Sequence, residues 1–168
     1  MLSLIIVIIS ILLDGLLSNI LPYTPNALSL FTPMLTIVSL ILIYPLNIKK
    51  EQNYYITAAI TGLVYDLLYT NLLFYNAIIF LGLAVAIKYM NKYLETNCLN
   101  IAIYTILTIT LYEVSTAIIL VTFNLIPITI GTLFYKIIHS LLLNIIYVEI
   151  VFLIIKLLPK KYKKVNIN

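Results

Sequence analysis

Nine of the ten lysines in this chain stand in three places, at Lys49 and Lys50, at Lys88 and Lys92, and from Lys156 to Lys164, and the stretches between those places are apolar. Loops that stay on the cytoplasmic side of a membrane collect Lys and Arg, so basic clusters separated by about two hydrophobic spans mark one face of a bilayer. The pattern therefore sets class, number of crossings and orientation together. Composition closes off the soluble alternative. With 10% charged and 63% hydrophobic residues and a mean hydropathy of +1.13, against roughly 25% charged in soluble proteins, too little polar surface remains to cover a water-exposed domain. The apolar runs, such as Leu2 to Leu13 and Ile145 to Ile155, do not alternate with period two, so the spans are expected to be helices and not barrel strands.

Six spans are expected, over about 2–20, 27–46, 54–69, 72–89, 101–123 and 129–158, forming one all-α polytopic transmembrane domain. The first lacks a basic leader and a small-residue cleavage site and contains Asp14, so it is expected to be retained. The second begins either at Ala27 or nearer Thr32, with Thr32 as N-cap and Pro33 at the first helical position. Turns near residues 23, 71 and 126 carry no lysine, whereas those near 50 and 93 and the tail carry nearly all. Both termini are therefore expected in the cytoplasm. The net charge of +4 belongs to loops and tail; it implies contact with anionic lipid and no nucleic acid. The one cysteine, Cys98, excludes an intrachain disulfide.

With loops this short, function must lie in the spans, and the informative residues are those a bilayer should exclude. An ionisable group at membrane depth costs at least about 2.5 kcal/mol, so it needs a partner, a cavity or neutralisation. Such residues are Asp14, Asp66, Glu113, Lys136, His139 and Glu149. Four or five of the six are expected to meet in the outer half of the bundle, with Lys136 neutralised by Asp66, Asp14 or Glu113, and with Asn144 on the same polar stripe of the last helix as Lys136 and His139. The alternative is that these charges snorkel to the outer interface. Ala58, Gly62 and Asp66 recur every four residues, so two small residues and a carboxylate share one helical stripe that should face a packed neighbour and not lipid. Gly82 and Ala86 repeat the spacing in the fourth span.

Catalysis has little to work with. His139 is the only histidine, no second histidine or nearby cysteine could share a metal with it, and four glycines leave no phosphate-cradling loop. No catalytic residue, cofactor or metal ligand is assigned.

The stretch from Thr61 through Gly62, Asp66, Asn71 and Tyr75 to Ala77 resembles the central Gly-x-x-x-Asp motif, with its short turn into the next helix, of the MreD family, the rod shape-determining membrane proteins of bacteria. Thr32-Pro33-Met34-Leu35 resembles the proline that opens that family's second span, and the Asn144 region its polar final helix. The turn departs from the pattern: relatives often carry glycine where this chain has Phe74 or Tyr75. The resemblance implies a non-enzymatic subunit of the cell-wall elongation machinery in the bacterial plasma membrane. It would work beside an MreC-like bitopic protein, a RodA-like glycosyltransferase and its transpeptidase, and indirectly the MreB filament, with Pro33, Ala58, Gly62 and Asp66 as motif and packing positions. It also implies a fold similar to the six-helix substrate-binding S-components of energy-coupling-factor importers. The rival function is therefore small-molecule capture, with Asp66, Lys136 and His139 as polar contacts. Short outer loops and the lack of an Ala-x-x-x-Ala stripe in the first span argue against it. A proton or ion path past the mid-span Glu113 is a third reading.

Overall fold

The computed structural model describes residues 2–21, 32–48, 51–70, 72–93, 97–124 and 129–157. Among them the chain is all helical, in the order α1 (Leu2–Ile20), α2 (Leu35–Asn47), α3 (Glu51–Tyr69), α4 (Tyr75–Tyr93), α5 (Cys98–Thr122) and α6 (Ile130–Leu157). Of these, α1, α5 and α6 are long and apolar enough to cross a membrane. Lys49, Lys50, the tail from residue 158 and the turn residues 22–31 and 125–128, on which much of the orientation argument rests, lie outside the described residues.

The architecture is organised by its shortest member. At 13 residues, α2 is only about 20 Å long at 1.5 Å per residue, short of the roughly 30 Å hydrocarbon layer. Every residue from Leu35 to Pro45 is buried, and α2 packs against each of the other five helices. A helix apolar on all sides can be satisfied only at the centre of a bundle. The core follows from this: Ile37, Val38, Leu40 and Ile43 are fully buried, and Ile6 and Ile11 of α1, Phe80 and Ile87 of α4, Ile101 and Ile109 of α5 and Val148 and Phe152 of α6 belong to the same cluster. The outward faces carry the exposed isoleucines and leucines, such as Leu12, Ile60, Ile118 and Ile146.

The start of α2 differs from both expected positions. The helix opens at Leu35 with Met34 as N-cap, and the Met34 side chain offers no capping bond. The local signature of Thr32 and Pro33 is not used as a cap because the start is held from other helices, as described below. Near its other end Pro45 lies within α2 and removes one backbone donor. That region is closed by the fully buried Tyr54, whose hydroxyl donates to the Leu40 carbonyl at 3.2 Å and whose ring meets Tyr44 edge-on at 5.0 Å. The α3–α4 pair is the most intimate in the bundle. At its α3 start, Lys88 reaches Glu51 in an ion pair of 2.6 Å. Both side chains are more than a third exposed, so solvent screens the pair and it adds little to stability.

Candidate functional site: two helix starts capped from neighbouring helices

A helix leaves its first four N–H groups without intrahelical partners. In water this is a small matter. Inside a bilayer each orphan costs several kcal/mol, so a helix that starts below the surface needs acceptors brought to it. Both α2 and α4 start on an apolar N-cap residue, Met34 and Phe74, whose carbonyls accept the first helical bonds from Val38 at 3.2 Å and Ile78 at 3.2 Å. Neither side chain contains an oxygen. In both cases the preceding helix supplies one.

At α2 the acceptor is Asp14 of α1, which is 2% exposed. Its Oδ1 takes the Leu35 N–H at 2.7 Å, and its Oδ2 takes the Thr36 N–H at 2.8 Å together with the Thr36 hydroxyl. A second group arrives from α6. Asn144, fully buried, accepts the Met34 N–H on Oδ1 at 2.9 Å and donates through Nδ2 to the Thr32 carbonyl at 3.0 Å and the Ser140 carbonyl at 2.6 Å. The segment from Thr32 to Thr36 is thus tied to both α1 and α6. One turn along, Ser10 of α1 and Tyr147 of α6 share a hydrogen bond of 2.7 Å, joining the two clamping helices directly. Pro33, expected at the first helical position, sits inside this clamp and before the helix.

At α4 the acceptor is Asp66 of α3, 1% exposed. The Asn76 N–H lies 3.0 Å from each of its oxygens, the Asn76 Nδ2 donates to Oδ1 at 2.8 Å, the Thr70 hydroxyl to Oδ1 at 2.8 Å, and the Ala77 N–H lies 3.4 Å from Oδ2. From α5 the Tyr112 hydroxyl donates to Asn76 Oδ1 at 3.1 Å, so the cap also tethers a third helix. A short bridge needs close backbones. A Cβ built on Gly62, one turn before Asp66, would stand 2.5 Å from the Ala77 Cα and 2.7 Å from both the Ala77 nitrogen and the Asn76 carbonyl oxygen. Gly62 and Asp66 are two parts of one device: the glycine lets α4 approach, and the carboxylate seals its start. Ala58, two turns before Asp66, is fully buried on the same stripe. The sequence between the two helices contains no glycine. Phe74 adopts φ +67°, a left-handed conformation that costs a non-glycine residue about 1–2 kcal/mol.

Asp14 and Asp66 therefore serve two different helix starts. Asp14 and Asn144 share the α2 site, and Asp66 occupies the α4 site with its oxygens surrounded by donors. Lys136 is exposed on α6, and Glu113, 6% exposed on α5, lies within its electrostatic reach. His139 turns back on its own helix, its ring stacked on Tyr135 at 3.6 Å and its Nδ1 2.9 Å from the Tyr135 carbonyl. The second small-residue pair also differs from the first: a Cβ on Gly82 would meet nothing within 4 Å, so that part of α4 faces outward. Sequence reasoning did not single out Thr36, Thr70, Asn76 or Tyr112. The available signal was a polar residue just inside the start of an apolar helix, where its backbone N–H is necessarily an orphan.

Such a site has the means to fix helices and little means to do chemistry. Among the described residues no group of three or more His, Cys, Asp or Glu side chains is placed to hold a metal. The fold and the two caps define an all-helical membrane protein whose buried polar residues anchor helix ends. The chain belongs to the family of the rod shape-determining protein MreD, whose family model matches residues 1–162. It is accordingly a membrane protein of bacterial cell-shape determination. Searches of curated proteins and of solved structures give no match.

Proposed function

We propose that the chain is a non-enzymatic scaffold of the cell-wall elongation complex: a six-span bundle that holds an MreC-type single-span partner and, with it, a RodA-type glycosyltransferase and its transpeptidase, linked indirectly to the MreB filament. The observation that carries the reading is the family match over nearly the whole chain. The chemistry of the buried residues supports it. Asp66, one of the three contacts that a ligand-binding rival would need in a cavity, has both oxygens engaged by the start of α4, and Asp14 and Asn144 are likewise engaged by the start of α2. A bundle pinned in this way is rigid, and rigidity is what a docking surface requires, since ordering on binding subtracts from affinity.

The test is co-isolation from native membranes of a rod-shaped bacterium together with depletion of the chain. The expected result is recovery of an MreC-type protein and wall synthases, with rods rounding up on depletion. Recovery of paired ATPases and a coupling subunit instead, with shape unchanged, would overturn the scaffold.

Orientation is part of the same proposal. With both termini cytoplasmic, reporters fused after Asn53, Thr96 and Asn168 will be active on the cytoplasmic side, and those after Thr24, Asn71 and Asn124 on the external side. An external C-terminus, or an odd number of crossings, rules out the six-span arrangement.

A further inference from the structure

The helices of the bundle are unequal in a way that bears on the membrane around them. With 25 and 28 residues, α5 and α6 are about 37 and 42 Å long at 1.5 Å per residue, more than the roughly 30 Å of hydrocarbon. The α3–α4 hairpin is shorter, and its charges fix its level. Glu51 and Lys88 meet at 2.6 Å near one end, both partly in water, and between these two positions the sequence holds a single charged residue, the buried Asp66. Drawing the ion pair into hydrocarbon would be costly, so that end is anchored at the headgroups. Asn76, at the capped start of α4, is twelve residues from Lys88, or about 18 Å along the helix. The start of α4 therefore lies about 10 Å inside the far boundary of the hydrocarbon. At 19 residues, α3 rises about 28 Å only if upright, and tilt lowers it.

The tip of the hairpin matches that depth. Leu67, Leu68, Leu72, Leu73, Phe74 and Ile78 are exposed there. Tyrosine hydroxyls ordinarily hold the end of a span at the interface, but here they are turned away from it. The Tyr69 hydroxyl donates to the Ile11 carbonyl of α1 at 2.7 Å, and the Tyr75 hydroxyl oxygen is buried. The Thr70 hydroxyl is held by Asp66. What faces outward is hydrocarbon.

We infer that the α3–α4 hairpin ends within the leaflet opposite its ion pair, and that the bilayer against this flank is thinned and made preferentially of phospholipids with short acyl chains. A span too short for its bilayer is matched by thinning the bilayer or by long charged side chains that snorkel out to the surface. The second remedy is closed at this tip, which has no such side chain. The α5–α6 flank is long enough for an undistorted bilayer, so the thinning is one-sided. The same depth explains why α4 starts on a carboxylate from α3: a start at the surface could be served by water, and one inside the hydrocarbon cannot. The inference requires that the hairpin be inserted and is independent of the scaffold reading.

The chain contains no tryptophan, so a single introduced tryptophan reports its own surroundings. Leu73→Trp marks the tip and Phe123→Trp the corresponding end of α5, at residues 64% and 70% exposed. Each full-length variant is placed in vesicles of chain-brominated dioleoyl phosphatidylcholine diluted with unbrominated dimyristoleoyl or dierucoyl phosphatidylcholine, and loss of quenching reports how well each diluent displaces the brominated lipid. At Leu73→Trp the short-chain diluent should be about threefold more effective than the long-chain one. At Phe123→Trp the two should be equal, and acrylamide in the water should quench that tryptophan several-fold more strongly than the one at the tip. Equal displacement by the two diluents at Leu73→Trp overturns the inference, as does acrylamide quenching there as strong as at Phe123→Trp. A short-chain preference of the same size at both positions overturns it too, because the thinning would then belong to the whole bundle. If Leu73→Trp lowers the unfolding temperature in detergent, Phe74→Trp reads the same level and is judged by the same outcomes.

Discussion

Replacing Gly62 with leucine will remove most folded protein from the membrane. The Cβ alone would stand 2.5 Å from a backbone carbon of α4, and backbone cannot rotate away as a side chain can. Relief requires α3 and α4 to separate along their whole contact. Overpacking typically costs about 1–3 kcal/mol, and the upper end or more is expected here, because separation also draws Asp66 away from the α4 start. Gly82→Leu is the control, since a Cβ there meets nothing within 4 Å. Abundance after membrane extraction and the unfolding temperature in detergent measure both. Unchanged values for Gly62→Leu would show that the α3–α4 contact is not as close as the geometry places it.

Asp66→Ala should be nearly as damaging. An ordinary N-cap contributes about 1 kcal/mol, and a typical hydrogen bond between membrane helices about 0.6. Asp66 differs in serving four donor groups at once, on Thr70, Asn76 and Ala77. Each buried donor left without a partner costs about 1–3 kcal/mol, so a total of about 3 kcal/mol or more is expected. Asp66→Asn keeps one oxygen and should fall between. The geometry also decides the relation of Asp66 to Lys136. The two would be strongly coupled as a buried ion pair, for which removing either partner is costly and removing both nearly neutral. With Asp66 held by donors of α3 and α4 and Lys136 exposed on α6, the effects of Asp66→Ala and Lys136→Met should instead add within about 0.5 kcal/mol. Rescue of Asp66→Ala by Lys136→Met would restore the ion-pair assignment.

Much of this chain was legible without coordinates, and the reason differs from residue to residue. Hydropathy locates helices because the bilayer admits few other structures. The spacing of Ala58, Gly62 and Asp66 is legible because helix geometry is local: residues four apart share a face whatever surrounds them, so a small-small-acid stripe announces a packed side. That Asp14, Asp66 and Asn144 need partners is equally plain, since a polar group at membrane depth is costly alone. What each partner is could not be read, because it depends on groups far along the chain. Asn144 meets Met34 from 110 residues away, and nothing at either position encodes the other. Net charge pointed to Lys136 as the natural mate of Asp14 or Asp66; their actual mates are mainly backbone N–H groups, which every residue but proline possesses and which therefore leave no mark in composition.

The start of α2 draws the boundary between the two kinds of information. Thr32 and Pro33 form a local capping signature, and by local rules the helix should open there. It opens at Leu35 instead, because acceptors from α1 and α6 converge on Met34, Leu35 and Thr36 and outweigh one hydroxyl. The sequence by itself determined that this is a membrane protein of helices, which stripe of α3 is packed, and which polar side chains cannot face lipid, since each of these follows from local geometry and from the cost of polarity in hydrocarbon. Only the tertiary structure decided that the shortest helix is the centre of the bundle, and that its buried start is completed by neighbours, because a helix that begins below the membrane surface can be satisfied only by groups that folding brings to it.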